Sequence, residues 1–302
     1  MTLATIDIGT NTALLLVASA NGSAATVLEE RAEITRLGRG IGRNGALDPD
    51  AIARTLAALR DFAATARRHG ARIAAVGTEA LRRAPNAAAF LGPAAEILGT
   101  PVEVIDGERE AALTFHAVAA SFPELQSGPL AVIDIGGGST EIVLAVGGEV
   151  RFRTSLPLGS VRLTEAFIHQ DPPTTVERGA IVDAIDSAIR GVPFPLEPPA
   201  LVGVAGTVTS LAAMAMALAI YDPARVHGYR LSRADLGREI ERLGTATQAE
   251  RERMVGLDPK RADVILAGAL ILDRIAAATG VADVRVSDRG IRWGLFHELT
   301  QG

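Results

Sequence analysis

Two stretches of the chain share one order of hydrophobic and polar positions. In the later stretch, residues 133–141, an apolar run has Asp134 as its last polar position, three glycines follow Ile135, and apolar β-branched positions then resume. In the earlier stretch, residues 6–12, an apolar run ends in Asp7, and a Gly-Thr-Asn-Thr turn leads into another apolar run. Alternation with a period of two predicts a strand on each side of each turn. Each half of the chain is therefore predicted to begin with a β-hairpin that has an acid at the end of its first strand.

The rest of the hydrophobic pattern alternates between short apolar runs and longer amphipathic stretches. Three strands are predicted over residues 3–34, with a turn at Asn21-Gly22. A long amphipathic helix is predicted to begin at Asp48-Pro49 and to run to about His69, because Asp favours the N-cap and Pro the first turn. The glycine- and arginine-rich segment 36–45 is predicted to be an exposed loop, which is either a solvated connector, the favoured interpretation, or a contact for a polyanion. Strands that alternate with helices in this way predict an α/β fold.

The chain is predicted to contain two domains, and its length of 302 residues agrees with that number. The strand pattern of the opening segment is repeated over residues 130–156. A polar segment with two prolines, residues 121–129, separates the two halves. We therefore predict an N-terminal domain over residues 1–124 and a C-terminal domain over residues 125–302, with a last helix, 290–302, that can pack back on the first domain.

The composition excludes several classes of function. The chain has no cysteine, which excludes disulfides, thiolate catalysis and cysteine-ligated metal centres. The formal net charge of −5 argues against a surface that binds duplex nucleic acid. The first residues show no signal-peptide pattern, and no apolar run reaches membrane-spanning length. We therefore expect a soluble, cytoplasmic protein with no nucleic-acid partner and no membrane partner.

The turn of the later hairpin has the residues of an anion-binding loop. Gly136, Gly137 and Gly138 carry no side chain that would block a ligand, so several backbone N–H groups can converge on an anion. Asp134 and Glu141 flank these glycines, and carboxylates repel a bare phosphate but suit one that arrives with Mg²⁺. No lysine follows the glycines as in a P-loop, and a strand follows the turn instead of the helix of a dinucleotide fingerprint. A metal-assisted phosphate loop and a purely structural glycine hairpin are both open at this point.

Two predicted strand-to-helix junctions offer further contacts for phosphate. The first junction has Thr78 at the end of a strand and Arg82 one turn into the following helix. The second has Gly206 and Thr207 directly after a buried strand. Backbone N–H groups at helix N-termini and guanidinium groups both bind phosphate. An ordinary capped helix is the alternative interpretation of each junction.

Taken together, these motifs resemble the exopolyphosphatase / guanosine pentaphosphate phosphohydrolase (Ppx/GppA) family, within the actin–sugar kinase–Hsp70 superfamily. The resemblance spans nearly the whole chain in the family's order. The matching stretches are DIGTNT at 7–12, GTEALRRAPN at 77–86, DGEREA at 106–111, DIGGGSTE at 134–141, GSVRLTE at 159–165, GVAGTVTSLAA at 203–213, VHGY at 226–229, RADVILAGALIL at 261–272 and VSDRGIRWGL at 286–295. The resemblance implies two actin-like (ribonuclease H-like) domains with a central cleft, as in the family's short, two-domain members.

The resemblance also implies roles for individual residues. The family's catalytic glutamate, a general base, matches Glu110, and Arg82 and Asp134 are the other implied catalytic residues. Arg109 stands where the family usually has another acid, which leaves the local charge balance open. As a hypothesis we add Mg²⁺ as the cofactor, with Mn²⁺ as the alternative, and Asp7, Asp134 and Glu141 as its ligands. The implied phosphate-binding residues are Thr10, Asn11, Thr78, Gly136, Gly137, Gly138, Ser139, Gly206 and Thr207.

From these features we expect an exopolyphosphatase, which releases terminal orthophosphate from inorganic polyphosphate by metal-assisted attack of water. Removal of the 5′-phosphate of guanosine pentaphosphate is the alternative among hydrolases. An actin-like ATPase or sugar kinase would share both hairpins. A non-catalytic sensor of alarmone or polyphosphate is the alternative that Arg109 keeps open. The resemblance to the family also allows a homodimer.

Overall fold

The computed structural model describes residues 1–21, 24–195, 197 and 199–301. The chain forms two compact units. Unit 1 contains Met1–Ala117 together with Ile291–Gly302, and unit 2 contains Val118–Gly290. The division therefore falls after Ala117, ahead of the predicted change of domain at residue 124, and the last helix is part of unit 1. The turn predicted at Asn21-Gly22 extends outside the described residues.

Strands and short helices alternate along both units. In chain order the elements are β1 (Thr2–Ile8), β2 (Thr12–Asn21), β3 (Ala24–Ile34), α1 (Ile41–Asn44), α2 (Pro49–Arg68), β4 (Arg72–Gly77), α3 (Glu79–Arg83), α4 (Ala88–Leu98), β5 (Val102–Val104), α5 (Gly107–Ser121), β6 (Pro129–Ile135), β7 (Thr140–Val146), β8 (Glu149–Leu156), α6 (Ser160–Phe167), α7 (Thr175–Ile189), β9 (Ala200–Val204), α8 (Ala205–Ala215), α9 (Pro223–Val226), β10 (Arg230–Ser232), α10 (Arg233–Thr245), α11 (Gln248–Arg251), α12 (Ile265–Thr279), β11 (Asp283–Val286) and α13 (Ile291–Gln301). Among the described residues, no helix has the length and apolar character needed to cross a membrane.

Each unit is built on one mixed sheet, and the two sheets share a strand arrangement. In unit 1 the order is β3-β2-β1-β4-β5; β1, β2 and β3 pair antiparallel, whereas β1, β4 and β5 pair parallel. In unit 2 the corresponding order is β8-β7-β6-β9-β11, with β10 added antiparallel beside β11. This is the strand arrangement of an actin-like (ribonuclease H-like) domain. The prediction of an α/β fold with two such domains is confirmed.

The helix predicted to begin at Asp48-Pro49 is present as α2. The carboxylate of Asp48 accepts hydrogen bonds from the backbone N–H groups of Asp50 and Ala51. These bonds satisfy two of the N–H groups that a helix N-terminus leaves without internal partners. The apolar face of α2, which includes Phe62, is buried in the core of unit 1. The amphipathic pattern and the cap therefore predicted this helix correctly.

The parallel strands place the candidate phosphate turns at one edge of each sheet. In unit 1, β1 and β4 run parallel, and in unit 2, β6 and β9 run parallel. The carboxyl ends of parallel strands meet at the same edge, where open α/β sheets bind their ligands. The strands that end there are anchored by fully buried side chains such as Ile6 in β1 and Ile133 in β6. In each unit a hairpin and a strand-to-helix junction therefore share the edge suited to a ligand.

Candidate active site

Both predicted hairpins form, and their turns have the same geometry. Each turn consists of four residues, 9–12 in the first hairpin and 136–139 in the second. In both turns the N–H of the first residue donates to the carbonyl of the fourth residue over 3.0 Å. The sequence-based prediction that one hairpin plan is used twice is confirmed.

The N-terminus of α6 holds the second turn from behind. The backbone N–H groups of residues 160–162 donate to the carbonyls of Gly136 and Gly137 at 2.9–3.1 Å. The Nε–H of Arg162 donates to the carbonyl of Gly138 at 2.8 Å. In a trans peptide plane, the N–H points opposite to the carbonyl of the preceding residue. The N–H groups of residues 137–139 therefore lie on the face of the turn that is directed away from α6.

Gly159 allows α6 to approach the second turn this closely. A Cβ atom at this position would overlap the carbonyl group of Gly137 and the backbone of Gly138. The contacts from α6 fix the orientation of the turn without any ligand. Donors that are oriented in advance bind a developing negative charge without a reorganisation cost. The second turn is therefore a preorganised row of backbone donors.

The segment that follows β3 holds the first turn in the same way. The N–H of Arg36 donates to the carbonyl of Asn11 at 2.9 Å, and the N–H of Gly38 donates to the carbonyl of Thr10 at 2.8 Å. The prediction that segment 36–45 is exposed is wrong for Leu37 and Gly38, which are buried, whereas Arg39 and Gly42 are exposed as predicted. The carbonyls of a buried turn need donors, and this segment supplies them.

The two turns differ in the groups that they present to a ligand. The second turn offers backbone N–H groups from its glycines, whereas the first carries the buried side chains of Thr10 and Asn11. Within the described residues, the Nδ2 amide of Asn11 has no hydrogen-bond partner. A buried donor without a partner costs roughly 1–3 kcal/mol. An acceptor supplied by a ligand, such as a phosphate oxygen, would therefore stabilise the first turn.

Two buried carboxylates lie at the base of the second hairpin. Asp134 and Glu141 are directly opposed across β6 and β7, and they are 6% and 1% exposed. Directly opposed residues project their side chains from the same face of a sheet, and like charges in that arrangement repel each other. The hydroxyl of Ser155 donates to Glu141 over 2.6 Å. A cation would offset the repulsion between these two carboxylates.

A hard divalent cation fits the chemistry of this pair. Mg²⁺ commonly takes one or two carboxylates and completes its shell with water and phosphate oxygens. Asp7 is buried at the end of β1 and belongs to unit 1, so the three predicted ligands do not lie within one unit. In the described ranges, no three His, Asp or Glu side chains form a group suited to a metal. Asp134 and Glu141 thus fit Mg²⁺ or Mn²⁺ in a shell completed by water and substrate, and the role of Asp7 stays a prediction.

The structure brings Arg82 and Glu110 together within unit 1. The Nη1 of Arg82 donates to Oε2 of Glu110 over 2.8 Å and to the carbonyl of Ile105 over 2.7 Å. Glu110 is buried in the first turn of α5. Breaking a buried ion pair leaves an uncompensated charge, which is strongly destabilising. Arg82 therefore stabilises the carboxylate of Glu110 and fixes the direction of one of its oxygens.

Arg109, the neighbour of Glu110, contacts the last helix. Its guanidinium donates to both carboxylate oxygens of Glu298 at 2.6 and 2.5 Å. This hydrogen bonding raises the pKa of Arg109 and lowers the pKa of Glu298. The positive charge at the position of the family's usual acid is thus matched by a carboxylate of α13.

The junction between β4 and α3 lies beside the first turn. The N–H of Thr78 donates to the carbonyl of Ile8 over 3.2 Å, and Thr78 is buried. Glu79 begins α3, and its Oε2 accepts a hydrogen bond from the hydroxyl of Thr10 at 3.3 Å. Glu79 is not among the residues predicted from the sequence, because an acid in the first turn of a helix is usually a partner of the helix dipole. Its place next to Thr78, directly after a predicted strand, is the signal that would have identified it.

Gly206 and Thr207 occupy the junction between β9 and α8. Gly206 lies so close to Arg261 that a Cβ atom would overlap the guanidinium. Burial lowers the pKa of Arg261, and the nearby carboxylate of Asp258 opposes this shift. Thr207 is buried and packs against Gly268 of α12. Both residues contact other parts of unit 2, and their role in phosphate binding stays a prediction.

Two actin-like units, each with a preorganised turn at the ligand edge of its sheet, define the class of this protein. The profile of the Ppx/GppA phosphatase family matches residues 15–301, and the chain belongs to that family. The chain is 37% identical over 315 residues to exopolyphosphatase 2 of Mycobacterium tuberculosis, with 98% of each chain covered. It is 31% identical to a guanosine-5′-triphosphate,3′-diphosphate pyrophosphatase of Vibrio vulnificus, with 98% of this chain and 59% of that protein covered. The resemblance found in the sequence is confirmed.

Solved structures of family members have the same fold. The crystal structure of the Ppx/GppA family member from Aquifex aeolicus matches with a TM-score of 0.83 and 35% identity, over 100% of this chain and 98% of that chain. An exopolyphosphatase from Cytophaga hutchinsonii matches with a TM-score of 0.92 and 26% identity, over 100% and 98% of the two chains. These similarities cover both units, so the strand arrangement described above is that of the family.

Proposed function

We propose that this protein is an exopolyphosphatase, a hydrolase that releases terminal orthophosphate from the phosphoanhydride bonds of inorganic polyphosphate. The relative from M. tuberculosis is named exopolyphosphatase 2 and is similar over 98% of both chains. The relative from V. vulnificus, named for a guanosine nucleotide, is covered over only 59% of its length. Similarity over the full length of both chains therefore supports polyphosphate as the substrate.

The second turn is the observation that carries this proposal. Its carbonyls are held by the N-terminus of α6, so that the N–H groups of residues 137–139 are directed away from that helix. Such a row of N–H groups binds a phosphate through its oxygens and needs no base or sugar for recognition. Asp134 and Glu141 supply carboxylates at the base of the same hairpin. This arrangement suits a phosphate that carries a divalent cation.

The mechanism that follows is displacement by water at the terminal phosphorus. In the proposed step, a water oxygen bonds to the terminal phosphorus, and the bond from that phosphorus to the bridging oxygen breaks. The electron pair of the broken bond leaves with the shortened chain. Glu110 accepts the proton that the water loses, and Arg82 keeps the carboxylate oriented. Orthophosphate and a chain shorter by one phosphate are the products.

The backbone donors of the second turn and the amide of Asn11 in the first turn would hold the terminal phosphate. Catalysis of phosphoryl transfer depends mainly on positioning and on electrostatic stabilisation of the phosphate oxygens. When bound, Mg²⁺ or Mn²⁺ would supply Lewis-acid neutralisation of those oxygens, held by Asp134 and Glu141 and, on the sequence-based prediction, by Asp7. That both turns act on one substrate stays a prediction.

Substitution of Glu110 by Gln tests the proposed general base. The Gln side chain keeps the shape and an acceptor for Arg82 but cannot take a proton from water. General-base catalysis typically contributes about 10²–10⁴-fold, so we expect kcat for phosphate release from polyphosphate to fall by that factor, with little change in KM. Glu108→Gln is the matched control, since Glu108 lies exposed in the same helical turn. An unchanged kcat in Glu110→Gln rejects Glu110 as the base.

A second candidate function is the removal of the 5′-phosphate of guanosine pentaphosphate. The 31% identity to the guanosine-nucleotide pyrophosphatase of V. vulnificus favours it, because that similarity covers 98% of this chain. The same turns and the same base would act on the terminal phosphate of this substrate. Comparison of kcat/KM for the two substrates in the wild-type protein separates the candidates.

A further inference from the structure

Glu79 is a buried carboxylate that the proposed mechanism does not use. The residue is 6% exposed at the start of α3. Its Oε2 accepts from the hydroxyl of Thr10 over 3.3 Å, and its Oε1 accepts from Nη1 of Arg83 over 3.1 Å. A buried carboxylate is costly unless it is paired and hydrogen-bonded. The chain therefore keeps a charged group against the first turn and satisfies it with Thr10 and Arg83.

The side chain of Thr10 is fixed from several directions by residues outside the turn. The hydroxyl is bonded to Glu79, and the Thr10 carbonyl accepts from the N–H of Gly38 at 2.8 Å. A Cβ atom on Gly38 would lie 2.5 Å from the Thr10 methyl group and 3.0 Å from the Cβ of Ala80, so these three residues pack together. A β-branched side chain is already restricted about χ1. With its hydroxyl and its methyl group both in contact, Thr10 is held in one rotamer.

We infer that Glu79 is a positioning residue that sets the conformation of the first turn through Thr10. An ionised carboxylate only accepts hydrogen bonds, so the proton of the Thr10 hydroxyl is directed to Glu79. Of the two buried side chains of the first turn, the one that keeps a donor for a ligand is then Asn11, through its side-chain amide. Glu79 thus holds the turn in the orientation in which Asn11 faces phosphate. That last step rests on the proposed function, whereas the hold on Thr10 does not.

Hydrogen exchange followed by mass spectrometry tests, without any substrate, whether Glu79 fixes the conformation of the first turn. In Glu79→Ala, we expect amides in peptides that cover residues 9–12 to exchange faster than in the wild type. In Glu79→Gln, exchange stays close to the wild type, because the amide oxygen of Gln still accepts from Thr10. The matched control is Glu239→Ala, because Glu239 is also 6% exposed and is paired with an arginine, Arg242, within one helix of unit 2. The control is expected to leave exchange of residues 9–12 unchanged.

Kinetics with inorganic polyphosphate test the consequence for function. A hydrogen bond to a charged group typically contributes a factor of about ten to a hundred, so we expect Glu79→Ala to lower kcat/KM by that factor. We expect Glu79→Gln to restore most of the loss. Thr10→Val removes the same hydrogen bond, so the double variant Glu79→Ala/Thr10→Val is expected to lose no more than the larger single loss. Such non-additivity is the signature of two residues that act as one unit.

Three results would overturn the inference: unchanged exchange of residues 9–12 in Glu79→Ala, a loss in Glu79→Gln as large as in Glu79→Ala, or full additivity with Thr10→Val. The second result would mean that activity depends on the negative charge of Glu79 and not on the oxygen that accepts the hydrogen bond from Thr10. If Glu79→Ala does not fold, two other variants decide. Faster exchange of residues 9–12 in Thr10→Val, together with wild-type exchange in Glu79→Gln, supports the inference. Wild-type exchange in Thr10→Val, together with faster exchange in Glu79→Gln, refutes it. A wild-type protein that releases no phosphate would refute the proposed function, while the exchange data would still decide the role of Glu79.

Discussion

Among single residues, Gly159 and Gly38 are the positions at which another segment of backbone must approach the first or the second turn closely. The carbonyls of each turn need donors, and in both units backbone N–H groups supply them at 2.8–3.1 Å. Backbones can approach this closely only where no side chain intervenes. A Cβ atom on Gly159 would overlap Gly137, and one on Gly38 would lie 2.5 Å from the methyl group of Thr10. The glycines outside the turns are therefore as necessary as those inside the second turn.

Replacement of Gly159 by Ala tests this requirement. The added methyl group has no room, and overpacking a well-packed site typically costs about 1–3 kcal/mol of unfolding free energy. We also expect a lower kcat/KM for polyphosphate, because the row of donors in the second turn would be displaced. Urea unfolding and phosphate release measure the two effects.

The matched control for Gly159→Ala is Gly179→Ala in α7, where an added Cβ would meet no atom within 4 Å. In a helix interior, Gly→Ala stabilises by up to ~1 kcal/mol, and this variant is expected to keep full activity. Wild-type stability together with full activity in Gly159→Ala would contradict the account.

Among the elements, α13 packs against α5, the helix that carries Glu110. Gly294 of α13 lies so close to α5 that a Cβ atom would overlap the carbonyl of Leu113. The bidentate contact between Arg109 and Glu298 joins the same two helices. Arg109, which departs from the family's acidic motif, thus forms an ion pair between two helices. The last helix of the chain supports the helix that carries the candidate base.

The ion pair predicts a dependence of stability on pH. Arg109 lowers the pKa of Glu298 below its ordinary value of 4.5 in the folded protein. A carboxylate whose folded pKa is lowered contributes stability above the unfolded pKa and loses it as the pH falls through the folded pKa. We therefore expect the unfolding free energy of the wild type to exceed that of Glu298→Gln at neutral pH, and the two values to converge as the pH falls below 4.5.

Because the pair is about one-third exposed, solvent screening keeps the difference small. Urea titrations of the wild type and of Glu298→Gln across this pH range give the measurement. Curves that coincide at every pH would show that the pair contributes nothing to stability, and a difference that stays constant with pH would show that the ionisation of Glu298 is not its source.

For the whole molecule, the features that could be predicted from the sequence are those that depend on a local pattern of residues. Period-two alternation and the Asp-Gly turns identify both hairpins, and the Asp48 cap identifies the start of α2. The resemblance to the family then implied the strand arrangement that both sheets show. These features are encoded within short windows or within motifs, so they can be read before any coordinates exist.

Contacts between segments distant in sequence could not be predicted. The hydrogen bond between Thr10 and Glu79 joins residues 69 positions apart, and the contact between Arg109 and Glu298 joins residues 189 positions apart. Neither pair has a periodicity or a motif that links its members. The wrong part of the prediction for segment 36–45 has the same cause, because glycine and arginine are common in exposed loops and nothing local shows that Gly38 supports a buried turn.

For the whole molecule, the substrate that it acts on distinguishes an exopolyphosphatase from a kinase, a sensor and a guanosine pentaphosphate phosphohydrolase. Release of phosphate from ATP alone, with transfer to a sugar, would identify a kinase that shares the two hairpins. Binding of polyphosphate or of guanosine pentaphosphate without release would identify a sensor. A higher kcat/KM for guanosine pentaphosphate than for polyphosphate would identify the nucleotide phosphohydrolase.

The most direct test of the central claim is phosphate release by the purified wild-type protein from long-chain polyphosphate, guanosine pentaphosphate and ATP, each with and without Mg²⁺. We expect orthophosphate to be released one unit at a time from polyphosphate, release to depend on Mg²⁺ or Mn²⁺, and kcat/KM to be highest for this substrate. No release from polyphosphate in the presence of either metal would contradict the central claim.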